Sequence, residues 1–117
     1  MAPQIYFNIP TDLRSVMLVV HAYFPIDPDR RSEALDLVET MVERSNQEPG
    51  ALEYRATTDL RDENTIRFIE RYEDAEAFEA HTQTDHYREL QAALPELLAG
   101  EPETTRYEIG NVTAVDV

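Results

Sequence analysis

The chain has no cysteine and no tryptophan in its 117 residues. The first absence excludes disulfides, thiolate catalysis and cysteine-based metal sites. Lysine is missing too, so all 10 basic residues are arginines. Glycine occurs only 3 times, too few to expect a glycine-rich loop cradling a phosphate. No apolar run approaches the ~18–20 residues that a membrane-spanning helix needs. The N-terminus lacks the basic-then-apolar pattern of a signal peptide, so the reading is cytoplasmic, with no membrane partner.

Acid is abundant. Asp and Glu number 24 against 10 basic residues, a net charge of −14. Such a uniform negative field repels nucleic acid. It fits plain solubility, and fits better a halophilic, acidic protein in a salty cytoplasm, where screening over about 3 Å at 1 M removes the self-repulsion. The charge therefore speaks of the solvent and not of a reaction. The length suits one domain with one core.

Two periodicities meet between Ile66 and His81. Ile66, Phe68, Glu70 and Tyr72 alternate with Arg67, Ile69, Arg71 and Glu73, the period of a strand. From Asp74, a good N-cap, Ala75, Phe78 and His81 recur at helical spacing. A helix that folds back over that strand brings Glu70, Tyr72 and His81 toward one space.

Residues 1–15 carry two prolines and no sustained period, and are read as an arm; 16–117 form the domain. Val16–Phe24 reads as strand one. Asp27-Pro28 opens a helix that runs to about Gln47 and stops at Pro49-Gly50. Ala51–Thr58 reads as strand two, with Leu52, Tyr54 and Ala56 on one side, and a loop from Leu60 to Thr65 leads to strand three. Thr84-Asp85 re-caps the chain for a last helix that Pro95 must kink or divide. Strand four spans Thr105–Val115. The order βαββαβ predicts an α+β, ferredoxin-like fold with a four-stranded antiparallel sheet covered by helices on one face. Strand one is apolar on both sides, so a bare face remains and a homodimer is expected.

Glu48-Pro49-Gly50 with Tyr54, then Glu70-Arg71-Tyr72-Glu73-Asp74 followed by Ala77-Phe78 and His81, resembles the antibiotic biosynthesis monooxygenase (ABM) family of dimeric α+β barrel proteins. His86-Tyr87 and Leu97-Leu98-Ala99-Gly100 extend the resemblance, which covers about Met17 to Ile109. It implies a small-molecule substrate with dioxygen and no cofactor, as in the quinol monooxygenases of the family, or the proton shuttling of its dione isomerases. The haem degraders' iron-binding histidine aligns with Gln91, and their pocket tryptophan with His81, which speaks against haem degradation.

His81 is the candidate base, since imidazole titrates near neutrality. Glu70 is the candidate that orients it, as a carboxylate orients imidazole in a dyad, against the plainer reading of an ion pair with Arg55 or another arginine of the sheet. Tyr72 and Tyr54 are candidate donors to substrate oxygens. His21, His86, Tyr87 and Phe78 complete the expected substrate-binding set, although a lone strand histidine such as His21 is more often structural. His81 and His86 stand five apart and are rotated off one helical face, so no metal site is expected from them. The expected activity is a cofactor-independent monooxygenase acting on a quinol or electron-rich phenol. Isomerisation of a small carbonyl compound, and a non-catalytic dimeric ligand-binding or stress-response module, are the alternatives.

Overall fold

A computed structural model describes residues 17–116. Strand β1 (Met17–Pro25) leads through a 3-10 turn (Pro28–Arg30) into helix α1 (Arg31–Ser45). Strands β2 (Ala51–Asp59) and β3 (Asp62–Tyr72) form a hairpin, followed by α2 (Ala75–Thr82), α3 (Asp85–Leu97) and β4 (Glu103–Ile109). All pairings are antiparallel and the sheet order is β2-β3-β1-β4. This is the expected α+β ferredoxin-like fold. No helix among the described residues is long and apolar enough to cross a membrane.

Alternation decides which way each strand faces. Leu18, Val20, Ala22 and Phe24 of β1 are buried, while Met17, Val19 and Tyr23 between them are half-buried and His21 is exposed. On β3, Ile66, Phe68, Glu70 and Tyr72 point under the helices. Helix α1 closes the layer with Ala34, Val38, Met41 and Ser45, and α3 with Leu90, Leu94 and Leu97. Each large apolar side chain so buried stabilises the fold by about 1.5–3 kcal/mol.

Local chemistry sets the boundaries. The Asp27 carboxylate accepts from the Asp29 N–H, with Pro28 at the first position of the 3-10 turn. Helix α1 ends at Ser45, and the Asn46 amide donates to the carbonyls of Val42 and Tyr54 at 2.9 Å each, stitching the helix end to β2. Pro95 is held inside the last turn of α3, with Leu97 and Leu98 continuing past it. A proline there loses one bond near a terminus instead of breaking the helix.

Three expectations need correction. The hairpin loop is not Leu60–Thr65, because Asp59 pairs with Asp62 and only Leu60 and Arg61 turn. The Asp59 and Asp62 side chains accept the Arg61 and Asn64 N–H groups at 2.8 and 3.0 Å, so polar residues tighten the turn instead of loosening it. Leu52 does not share the buried side of Tyr54: the register shifts between Ala51 and Glu53, and Leu52 is exposed. Such a bulge re-aims one side chain. Strand β4 ends at Ile109, leaving Val112 exposed beyond it. The arm at residues 1–15 lies outside the described residues.

Candidate active site

The side chains converge because three chain reversals lie over one end of the sheet. In register, Val20 of β1, Glu70 of β3 and Tyr54 of β2 stand side by side on the covered face. Tyr72 follows Glu70 on the same face and donates its hydroxyl hydrogen to Glu70 Oε1 at 2.5 Å. After β3, the Asp74 carboxylate accepts the Ala77 N–H at 2.8 Å and starts α2. Such a cap contributes about 1 kcal/mol. Two turns on, α2 lays His81 over the sheet with 1% of its surface exposed. Its ring centroid lies 5.3 Å from Tyr54, 5.4 Å from Tyr72 and 5.2 Å from Tyr87. Phe78 packs edge-on against Tyr72 at 5.2 Å.

The partner of His81 comes from the turn before β2. His81 Nδ1 donates to Glu48 Oε2 at 2.9 Å, with Oε1 at 3.2 Å. The proton of a neutral His81 thus sits on Nδ1, and Nε2 is left as an acceptor. On its other side the same Oε2 accepts from His86 Nε2 at 2.6 Å. The turn reaches His81 because Gly50 presses against α2: a Cβ on Gly50 would overlap the Ala77 side chain. The chain breaks helix between His81 and His86, where the Thr84 hydroxyl donates to the His81 carbonyl at 2.8 Å and accepts the Tyr87 N–H at 3.2 Å.

Burial shapes the titration of the group. It drives the His81 pKa below the ordinary imidazole value, with Glu48 working in the opposite direction. Burial likewise pushes the Glu70 carboxyl up to about 7, against the pull of the Tyr72 hydroxyl, and the Glu48 charge adds to the rise. Tyr54, Tyr72 and Tyr87 are all raised, chiefly by burial and then by Glu70, so they remain neutral donors. The partly open space between Phe24, Tyr54, Glu70, Phe78, His81 and Tyr87 measures about 50 Å³. A larger groove of about 420 Å³ between α1 and β2 gathers only Glu39 and Glu43 as titratable groups.

Residues 17–93 match the profile of the family described as antibiotic biosynthesis monooxygenase. The chain belongs to that family. It is similar to YcnE of Bacillus subtilis strain 168, provisionally named a monooxygenase, at 30% identity over 93 residues, or 80% of this chain and 98% of that one. It also resembles the solved structure of Rv0793 from Mycobacterium tuberculosis, at a TM-score of 0.73 and 25% identity, over 86% of this chain and 97% of that one. A conserved protein from Methanosarcina mazei Go1 shares the fold at a TM-score of 0.76 and 22% identity, over 85% of this chain and 98% of the other.

Within this ABM domain the expected residues fall into two groups. His81, Glu70, Tyr72, Tyr54, Tyr87 and Phe78 line or adjoin the partly open space. His21 does not: it stands on the opposite face of the sheet, its ring 5.4 Å from that of Tyr107. Alternation along β1 dictates this, since Val20 and Ala22 point inward. Glu70 bonds Tyr72 and not Arg55, whose Nε instead pairs with Glu53 at 3.0 Å. Nor is Glu70 the carboxylate on His81; Glu48 holds that position. His86 is not turned away from His81, because the two sit on separate helices whose phases the Thr84 cap resets. Glu48 is the site residue that pattern reading passes over. The only local signal for it is an acid placed directly before the Pro49-Gly50 turn.

Proposed function

We propose that the chain is a monooxygenase acting on a quinol or electron-rich phenol, with His81 as base and Glu48 as the group that orients it. The Glu48–His81 pair carries this reading. A half-buried carboxylate on Nδ1 makes Nε2 the proton acceptor, and burial of His81 keeps the ring neutral and ready at neutral pH. Removal of the phenol proton lets the phenolate pass an electron to dioxygen. Recombination at ring carbon forms a C–O bond, and loss of water leaves a carbonyl. One oxygen atom enters the product and the other leaves as water, all electrons coming from the substrate. Tyr54 and Tyr72 supply neutral hydroxyls beside the developing charge. A quinol ring exceeds about 50 Å³, so Phe78 and its neighbours must give way on binding.

A second reading, isomerisation of a small carbonyl compound, is favoured by the same volume and by Glu70. A carboxyl at about 7 can give and take a proton at neutral pH. The apolar side chains Val19, Tyr23, Ile69 and Tyr107 on the outer face of the sheet support a homodimer, and the uniform acidity supports a salty cytoplasmic setting.

Oxygen uptake with a panel of quinols decides between the readings. Uptake that His81→Ala lowers by roughly 10²- to 10⁴-fold is the expected result. Isomerised product without oxygen consumption would favour the second reading. Thermal protection by a quinol without turnover of any kind would leave only a binding module.

A further inference from the structure

Glu48, His81 and His86 hold one carboxylate and two imidazoles around a single point. One ligand atom from each lies within 4.8 Å of the other two. Glu48 Oε2 stands 2.9 Å from His81 Nδ1 and 2.6 Å from His86 Nε2. Their side chains are only 13%, 2% and 12% exposed, so these donors are not ordinary surface groups. They come from three elements, each held by contacts outside the cluster. The turn carrying Glu48 is seated on α2 by Gly50, His81 belongs to α2, and His86 stands in the first turn of α3 behind the Thr84 cap. That preorganisation is what a metal site needs and what a chance surface cluster lacks.

Two imidazoles and one carboxylate form a donor set suited to zinc and its first-row neighbours, with coordination positions left open. Metal–ligand bonds of about 2.0–2.2 Å put neighbouring ligand atoms roughly 3.0–3.5 Å apart. The two Glu48 contacts, at 2.9 and 2.6 Å, reach that spacing by opening less than about 1 Å. A cavity of about 340 Å³ borders Glu48 and is lined by Glu73, Asp74 and Glu76 as well, with no arginine in its wall. Carboxylates around such a cleft raise the local concentration of cations.

We propose that Glu48, His81 Nδ1 and His86 Nε2 bind one divalent first-row transition-metal ion, for which Zn²⁺ is the type. The ion displaces the Nδ1 proton of His81. The remaining ring proton must then sit on Nε2, turning that nitrogen from acceptor to donor. Metal binding therefore takes away the base assigned above. This consequence rests on the base assignment, whereas the binding site does not.

Co²⁺ is the direct probe, because its visible absorption reports ligand number and geometry. Chelator-stripped full-length protein, titrated with Co²⁺ and then displaced with Zn²⁺, should saturate at one ion per chain. His86→Ala and Glu48→Gln should each weaken binding by at least tenfold, while His21→Ala leaves it unchanged. Melting curves of the three variants check folding, and His86→Gln provides a closer isostere if the alanine variant unfolds. No saturable absorption change would overturn the site. So would binding that survives both His86→Ala and Glu48→Gln, or binding lost through His21→Ala. Zn²⁺ should also suppress quinol oxidation by the wild type. Zn²⁺ that binds as described without slowing turnover would overturn the base assignment of His81 and leave the metal site standing.

Discussion

Glu48 Oε2 accepts a hydrogen bond from His81 Nδ1 at 2.9 Å across 33 positions of sequence. This contact selects the tautomer, so its loss should change chemistry more than folding. Glu48→Gln keeps an acceptor oxygen but removes the charge that stabilises an imidazolium. Turnover with a quinol should fall by about 10- to 10³-fold, less than for His81→Ala, with KM nearly unchanged. Steady-state kinetics on both variants check the order. Glu48→Gln at wild-type turnover would leave His81 without an orienting partner.

The Glu70 carboxyl makes stability depend on pH. Burial raises it from the ordinary 4.5 to about 7, so between those values the folded chain holds a proton that the unfolded chain has lost. Stability from this group is fully present below the lower value and is lost as pH rises through the upper one. The loss amounts to roughly 3 kcal/mol if the whole shift is realised. Denaturant melts at about pH 5 and about pH 8 should therefore differ more for the wild type than for Glu70→Gln, which cannot titrate. Equal differences in the two proteins would mean that Glu70 stays ionised.

Elements came through the sequence where the signal was local. The alternation of Leu18 to Phe24, the α1 stripe, and the Asp74 and Thr84 caps each lie within one short window. So did His81, since the step from β3 into α2 already folds it over Tyr72. What escaped depends on distant or unseen geometry. Glu48 reaches His81 because Gly50 and Ala77 come together, and the acid before the Pro49-Gly50 turn does not by itself say which side chain it meets. The Thr84 cap is legible, but the angle at which α3 leaves α2 is not, so the five-residue spacing does not reveal that His86 returns to His81. Leu52 was lost to a bulge, which shifts parity without a sequence mark.

The net charge of −14 implies strong self-repulsion at low salt. Several surface ion pairs, such as Arg30 with Glu33 and Arg67 with Asp59, offset only part of it. Molar potassium chloride should raise the melting temperature, because screening weakens the repulsion more than these exposed pairs lose. A melting temperature that stays level or falls between low and molar salt would count against adaptation to salt.

The outer face of the sheet predicts a dimer. Ile69 and Tyr107 are 36% and 45% exposed, and the half-buried Met17, Val19 and Tyr23 surround them. An interface able to hold two copies buries more than about 1,000 Å² in total. Light scattering should give twice the monomer mass for the wild type. Ile69→Arg should shift it toward the monomer, by placing a third charge between Arg67 and Arg71 on that face. A monomeric wild type in molar salt would remove the prediction.

Gly50 offers a test of how the fold delivers the site. A methyl group there would overlap the Ala77 side chain, so the turn before β2 must lift from α2 or α2 must shift. Gly50→Ala should cost about 1–3 kcal/mol, the usual range for overpacking. It should also lower turnover, since the same movement draws Glu48 away from His81. Ala77→Gly alone should cost about 1 kcal/mol of helix propensity and leave the turn seated. Combining the two makes room for the new methyl. The double variant should then be more stable than the sum of the single losses predicts, by roughly 1 kcal/mol or more of coupling. It should regain turnover along with stability. Additive losses, or stability restored without activity, would show that the contact between Gly50 and Ala77 holds the fold but does not place Glu48.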